Sequence, residues 1–532
     1  MSAESVGDGR PNILLILADD MGFSDIACYG SEISTPNIDR LAATGVRFTQ
    51  AYNCARCCPS RASLYTGLYP HQTGVGHMMR DDGFPGYRGF INDRSVTIAE
   101  ALRSAGYATA LSGKWHVGGN YHPKKPEEWT PGERGFPTPQ QRGFDRFYGI
   151  LRGGGSYFEP KVLMREHEWI EEEDPEFYFT DAITDYAIAR IDDAAARKDP
   201  FFVHVSYTAP HWPLHAREED IARYEGRYCD GWDALRTRRH EEMKGLGILD
   251  RRWPISARDT NAPAWADIKE TTWEDQRMAV YAAQVDRMDQ GIGRIMDRLQ
   301  DLGQEQNTLV IFLSDNGGCA EFLAEDTDDN PFRYNFPTRD GRKMTVGNAP
   351  NVRPGPADTF QSYDLPWANA SNTPFRLFKR WVHEGGISTP MIVRWPERVK
   401  ESRIEHSVAH IIDIMPTCLD AAGVARPSES HGQFTLPGEG TSLLSYLRDG
   451  TAWTREEPLF WEHEGNRAVR DGIWKLVARD PDGPWELYNM ATDRTETDDR
   501  SEAEPAIVER LSAAYDRWAK RCGVLPFPVS PG

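Results

Sequence analysis

Short apolar runs alternate along this chain with longer stretches in which apolar residues recur every three or four positions. The runs are Asn12–Ala18, Tyr107–Leu111, Phe201–Tyr207, Leu309–Leu313 and Met391–Trp395. Helical periodicity marks Thr97–Ala105, Thr180–Arg197 and Met278–Leu302, which precede the second, third and fourth runs. Continuous apolar strands separated by amphipathic helices predict βαβ units around a mostly parallel sheet with both faces covered. The expected class is α/β. After about Leu444 the texture changes to shorter strand-like runs: Leu459–Glu462, Asn466–Arg470, Trp474–Ala478 and, beyond a turn at Asp480–Pro484, Trp485–Asn489. A helical segment, Glu504–Arg521, follows. This predicts a small α+β unit, an antiparallel sheet with one helix. The expected division is a large domain over residues 1–445 and a smaller one over 446–532.

Two segments break the pattern. Pro213–Gln276 is dense in charge and tryptophan, and Glu321–Thr373 is rich in Asn, Asp, Pro and Gly. Irregular stretches of that length inside a compact domain usually form lids or walls of a site, or else are disordered. Tyr207 and Trp212 are expected to line the same mouth.

Polar clusters follow the apolar runs. Asp19-Asp20, Lys114-Trp115-His116, His211 and Asp315-Asn316 each come shortly after a predicted strand. Open α/β sheets bind ligands beyond the carboxyl ends of their strands, so four such clusters can converge on one crevice. Asp19, Asp20, Asp315 and Asn316 offer three carboxylates and one amide oxygen. Such a set, with no His or Cys spacing, suits Ca²⁺ or Mg²⁺ better than zinc. Taken alone, Asp19-Asp20 also suits a loop start or a helix cap. In Ala209-Pro210-His211-Trp212-Pro213, two prolines restrict the backbone around one histidine. In Cys57-Cys58-Pro59-Ser60-Arg61, Pro59 suits the first position of a helix and Gly67 its end. Cys57 would then lie at the positive helix terminus beside Arg61, where anions are favoured.

Composition narrows the partners. Of 532 residues, 39% are hydrophobic and 27% charged, the balance of an ordinary globular protein. A net charge of −20 argues against nucleic acid or an anionic membrane as the main partner. An acidic chain that binds an anion must do so through local positive groups. Ile13–Ala18 is too short to span a bilayer, and no basic leader or cleavage site is evident, so a cytoplasmic protein is expected. Eight cysteines are too sparse for a disulfide scaffold, and Cys54-x-x-Cys57 has no second pair at matching spacing.

The run Cys57-x-Pro59-Ser60-Arg61-x-x-x-x-Thr66-Gly67 resembles the maturation signature of the type I sulfatases, members of the alkaline phosphatase superfamily. The resemblance extends through Pro11-Asn12-Ile13, Ser34-Thr35-Pro36-Asn37-Ile38-Asp39, Gly113-Lys114-Trp115-His116, Asp413-Ile414-Met415-Pro416-Thr417 and Trp485-Glu486-Leu487-Tyr488. From His211 through Tyr224-Glu225-Gly226-Arg227-Tyr228 it resembles bacterial arylsulfatases in particular. The resemblance implies an alkaline-phosphatase-like mixed sheet flanked by helices and a nucleophile made by oxidising Cys57 to formylglycine, through a separate maturation enzyme. It implies that Asp19, Asp20, Asp315, Asn316 and residue 57 hold one divalent cation, Ca²⁺ first, with Mg²⁺ or Mn²⁺ as alternatives. Lys114 and Lys379 would bind sulfate oxygens, and Arg61 would hydrogen-bond the hydrated aldehyde. His116 would contact its hydroxyl, and His211 would reach the leaving-group oxygen.

The expected activity is hydrolysis of a small or aryl sulfate monoester to sulfate and an alcohol or phenol. The alternatives are a phosphonate monoester or phosphodiester hydrolase of the same superfamily, and a non-catalytic anion- or metal-binding protein. A homodimer is compatible with the C-terminal region.

Overall fold

The computed structural model of the chain describes residues 9–119, 130–133, 135–325, 336–450 and 453–529. Ten strands form the main sheet: β1 (Asn12–Ala18), β2 (Val46–Tyr52), β3 (Ala108–Lys114), β4 (Arg146–Ile150), β5 (Leu163–Arg165), β6 (Glu168–Ile170), β7 (Phe201–Ser206), β8 (Thr308–Ser314), β11 (Ser388–Arg394) and β12 (Arg403–His410). Two short pairs accompany it, β9 (Thr345–Val346) with β10 (Thr359–Phe360), and β13 (Glu429–Ser430) with β14 (Gln433–Phe434). Across the main sheet the order is β12-β2-β11-β8-β1-β7-β3-β4-β5-β6. The centre, β8-β1-β7-β3-β4, is parallel throughout. β11 runs antiparallel between β2 and β8, which makes the sheet mixed.

Every residue of β1, β7 and β8 is buried, the physical reason for their continuous apolar sequence. Along β1 the pleat sends Leu14, Ile16 and Ala18 into one core and Ile13, Leu15 and Leu17 into the other. The helices Phe179–Arg197 and Thr271–Asp301 cover the first face; Cys57–Thr66, Ile98–Ser104 and Ile414–Ala422 cover the second. Thr97 starts one of them with a capping box, its hydroxyl accepting from Glu100 N while the Glu100 carboxylate accepts from Thr97 N.

The C-terminal part forms a four-stranded antiparallel sheet in the order β15 (Leu459–His463), β16 (Asn466–Asp471), β17 (Trp474–Ala478) and β18 (Trp485–Asn489). The helix Pro505–Cys522 packs on it through Leu511, Tyr515 and Trp518.

Several expectations need correction. β3 extends to Lys114, so Gly113 and Lys114 belong to the strand rather than to the loop after it. β2, β4 and β12 carry too much polarity to stand out as apolar runs. Residues 213–276 are not an irregular wall. They contain the helix Gly231–Gly245 and bury Tyr224, Tyr228 and Trp232 in the first core, where Trp232 packs edge-on against Trp265 and Trp367. The tryptophans there serve packing. In the second segment residues 326–335 lie outside the described part. Tyr207 is fully buried and bonded to Thr184, so it does not line a mouth.

Candidate active site

The signature run folds as a helix, Cys57–Thr66, buried at all its positions. Cys57, not Pro59, opens it; Pro59 is third, which the helix tolerates because the first N–H groups lack intrahelical acceptors. Gly67 ends the helix as expected, at φ 64°, with its N–H bonded to Ser63 O at 2.9 Å. The sulfur atoms of Cys57 and Cys58 and a ring nitrogen of His116 lie within 4.8 Å of one another. A hydrogen bond from Cys58 holds the Cys57 thiol well below its usual range; burial opposes this, and Lys114, His116 and Lys379 reinforce it. Burial pushes Cys58 the other way, well above the ordinary thiol range.

The carboxyl ends of β1 and β8 bring the acidic residues together. Asp19 and Asp20 follow β1, Asp315 and Asn316 follow β8, and the register pairs Ala18 with Ser314. Asp20 has a left-handed φ of 65° and accepts from Asn316 Nδ2 at 2.8 Å; its N–H reaches Asp315 Oδ1 at 3.2 Å. Strained backbone of this kind in a non-glycine residue concentrates at functional sites. His116, at φ 60°, shares it.

Two lysines, one histidine and Arg61 close on these carboxylates. Lys114 Nζ lies 2.6 Å from Asp19 Oδ2, and Lys379 Nζ lies 2.8 Å from Asp20 Oδ2. His211 Nε2 stands 3.4 Å from the same Asp20 oxygen, while its Nδ1 faces the Trp212 carbonyl at 2.6 Å. Arg61 is fully buried: Nε donates to Asp315 Oδ2 at 2.9 Å, and Nη1 to Ser206 Oγ and to the Lys114 carbonyl. Its Nη2 faces Asp19 at 3.7 Å. Arg61 therefore braces the carboxylates, and its bonds run to them rather than to residue 57.

Burial dominates the titration of the site. It raises Asp19 to about 6 against the pull of Lys114 and Arg61, and raises Asp315 to about 8 with Asp19 adding to it. For Asp20 burial also pushes upward, but His211 and Lys379 outweigh it and keep the carboxyl below its usual range. Burial lowers His116 to about 3 and His211 to about 4.

The donor set fits a hard divalent cation. Asp19 Oδ1 and Asn316 Oδ1 are buried oxygen acceptors without a hydrogen-bond partner, an arrangement that costs about 1–3 kcal/mol per group unless something satisfies it. A cation bound by oxygen would do so and would relieve repulsion among three carboxylates.

Other contributors carry weaker sequence signals. A Cβ on Gly153 would lie 2.9 Å from His116 Nε2, and one on Gly154 would lie 3.1 Å from His211 Nδ1. The backbone of this loop thus passes close over both histidines, where a larger residue would press on the two rings. The Gly153-Gly154-Gly155 run is the clue. Glu321 bridges the mouth, accepting from Arg56 at 2.8 Å and from Trp212 Nε1 at 2.9 Å. Nothing local in the sequence announces that bridge between positions 56 and 321.

Comparison with known proteins gives the family of the chain. The Sulfatase family model matches residues 11–424, and the model described as N-sulphoglucosamine sulphohydrolase, C-terminal, matches residues 375–514. An uncharacterized sulfatase of Schizosaccharomyces pombe is 32% identical, over 98% of this chain and 95% of its own length. The arylsulfatase of Klebsiella aerogenes is 32% identical over 83% of this chain and 93% of its own. The solved structure of Ps i-CgsB in complex with k-i-k-neocarrahexaose superposes with a TM-score of 0.66 at 26% identity, covering 96% of this chain and 93% of that one.

Proposed function

The chain belongs to the sulfatase family and is a sulfuric ester hydrolase; on that footing we propose that it cleaves a small or aryl sulfate monoester through formylglycine made from Cys57. The observation that carries this reading is the convergence of Lys114, Lys379, His116 and His211 with three aspartates beside a thiol at a helix N-terminus.

Oxidation of Cys57 to formylglycine supplies an aldehyde hydrate, of which one hydroxyl attacks sulfur and the other, on losing its proton, expels sulfate. Lys114 and Lys379 approach the anionic ester from two sides and stabilise the charge that develops on the transferring group, usually the largest catalytic contribution. His211 donates Nδ1–H to the Trp212 carbonyl, which leaves Nε2 to carry a proton to the departing oxygen. Burial disfavours its imidazolium form, but a bound anionic ester shifts the balance back. His116 is neutral for the same reason and accepts the proton that the hydrate gives up. Asp19, Asp20, Asp315 and Asn316, with residue 57, would hold the divalent cation, Ca²⁺ by preference. That ion would supply a fixed positive charge against the sulfate oxygens. Arg61 fixes the orientation of Asp315.

The alcohol portion would leave past the Glu321 bridge. A small cavity of about 40 Å³ beside Gly154 offers that portion both apolar groups, Phe336, Met344 and Phe360, and charged ones, Arg152, Glu159 and Lys161. The test is turnover of nitrophenyl sulfate against nitrophenyl phosphonate and phosphodiester analogues, with mass analysis of the Cys57 peptide. Sulfate as the best substrate by kcat/KM, with formylglycine at position 57, is the expected result. A better phosphonate substrate, or an unmodified thiol in fully active enzyme, overturns the reading.

A further inference from the structure

Lys379 sits on no regular element. Residues 375–383 are coil and turn, and the lysine is flanked by two non-glycine residues with left-handed backbone, Leu377 at φ 62° and Arg380 at φ 93°. Such a segment holds its shape only if its surroundings over-determine it. Part of that constraint is internal. A Cβ on Gly385 would lie 2.2 Å from Leu377 O, and one on Gly386 would lie 1.9 Å from Trp381 O, so the chain folds tightly back on itself. Main-chain bonds from Lys379 N to Gly318 O and from Arg380 N to Ala55 O tie it to the active-site loops.

The rest of the constraint comes from the C-terminal sheet. Arg376 Nη1 donates to Glu486 Oε2 at 3.1 Å, to Tyr488 Oη at 2.9 Å and to the Glu496 carbonyl at 3.0 Å. Arg380 Nε meets Glu464 Oε2 at 2.6 Å. Glu384 is fully buried between Lys475 Nζ and Arg494 Nε, each 2.9 Å away, and also accepts from Tyr52 and Ser388. Its own N–H is held by Glu496 Oε2 at 3.0 Å. The segment is thus gripped on both sides of Lys379, at positions 376, 380 and 384, by side chains of the β15–β16 turn, β17, β18 and the turn after β18.

We infer that the C-terminal sheet positions the second sulfate-binding lysine: Arg376 and Glu384 are positioning residues that set Lys379 Nζ against the bound sulfuryl group. This rests on the reading of Lys379 given above. A role in folding alone would leave Arg376 and Lys379 energetically independent, whereas a positioning role couples them.

The test is a double-mutant cycle on the full chain with nitrophenyl sulfate, alongside inhibition by inorganic sulfate. Arg376→Ala is expected to lower kcat/KM about tenfold, the scale of a small misplacement of a catalytic group. It should weaken sulfate inhibition in parallel and cost nothing more once Lys379 is already alanine. Arg376→Lys, which keeps a donor toward Glu486, restores most of the loss. Losses that multiply in the double variant overturn the inference while leaving the role of Lys379 intact. If Lys379→Ala alone changes nothing, both the inference and the site reading fall. Should Arg376→Ala not fold, Tyr488→Phe removes only the hydroxyl, which accepts from Arg376 and donates to Glu486, and runs the same cycle.

Discussion

Lys114 and Lys379 bring the same charge to adjacent aspartates from unlike supports. Lys114 ends β3, a strand hydrogen-bonded on both sides, to β7 and to β4. Behind it Gly113 packs so close to β7 that a Cβ would fall 1.9 Å from Ser206 O. Lys379 hangs from coil, and the side chains that steady it are charged groups of a separate sheet. A strand in mid-sheet is held by many equivalent bonds, and losing one shifts it little. Coil held by a few ion pairs, those of Glu384 buried and those of Arg376 and Arg380 half-exposed, depends more on each of them. Equal chemistry can therefore rest on unequal redundancy within one site.

Three experiments break or sharpen that contrast. The largest effect is expected at Glu384, where substitution by alanine leaves Arg494 buried without its carboxylate and Lys475 with Glu496 alone. Removing one member of a buried pair costs about 3–5 kcal/mol, so urea denaturation should show a loss of that order; a change under 1 kcal/mol would mean that the grip is not structural. Burial opposes ionisation of Glu384, but Lys475 and Arg494 prevail and hold it at about 2, below its ordinary 4.5. Its contribution is therefore present above pH 4.5 and is lost as pH falls through 2.

The next effect compares the lysines directly. Lys114→Ala and Lys379→Ala should each lower kcat/KM by about 10²–10³, the range for removing one preorganised donor from a transition state. Changes in the C-terminal sheet should reproduce part of the Lys379 loss and none of the Lys114 loss. Equal sensitivity of the two would erase the distinction.

The smallest effect concerns Asp315, which Arg61 holds beside the two carboxylates that the lysines touch. Burial, then Asp19, raises Asp315 from 3.8 to about 8. The folded chain then holds that proton longer than the unfolded chain does. Stability from this group is full below pH 3.8 and drains as pH climbs toward 8. In chelator, the protein should melt at lower temperature at pH 8 than at pH 6. Added Ca²⁺ should raise Tm by roughly two to four degrees, more at pH 8 than at pH 6. A Ca²⁺ response equal at both pH values would remove Asp315 from the cation set.

The parts of the molecule differ in how far the sequence disclosed them. β1, β7 and β8 stood out because a strand covered on both faces must be apolar at every position. β2 escaped notice because Arg47 and Gln50 interrupt its run at half-buried positions near the sheet margin. The tryptophans of residues 213–276 suggested a binding wall, since a sequence cannot say whether an aromatic residue faces a ligand or another aromatic. Lys379 was legible only through likeness to a family. A lysine in coil has no periodicity to place it.

What the sequence determined by itself was chemical and local. It set the helix from the cysteine to Gly67, the polar residues at strand ends, and a donor set of oxygens suited to a hard cation, because these follow from residue type and short spacing. Tertiary structure alone decided the rest: that Arg61 braces Asp315, that Glu321 links Arg56 to Trp212, that Gly153 and Gly154 leave room for two histidines, and that a second sheet grips the segment bearing Lys379. Those contacts join positions tens to hundreds of residues apart. Their geometry depends on how whole layers pack, which no local pattern encodes.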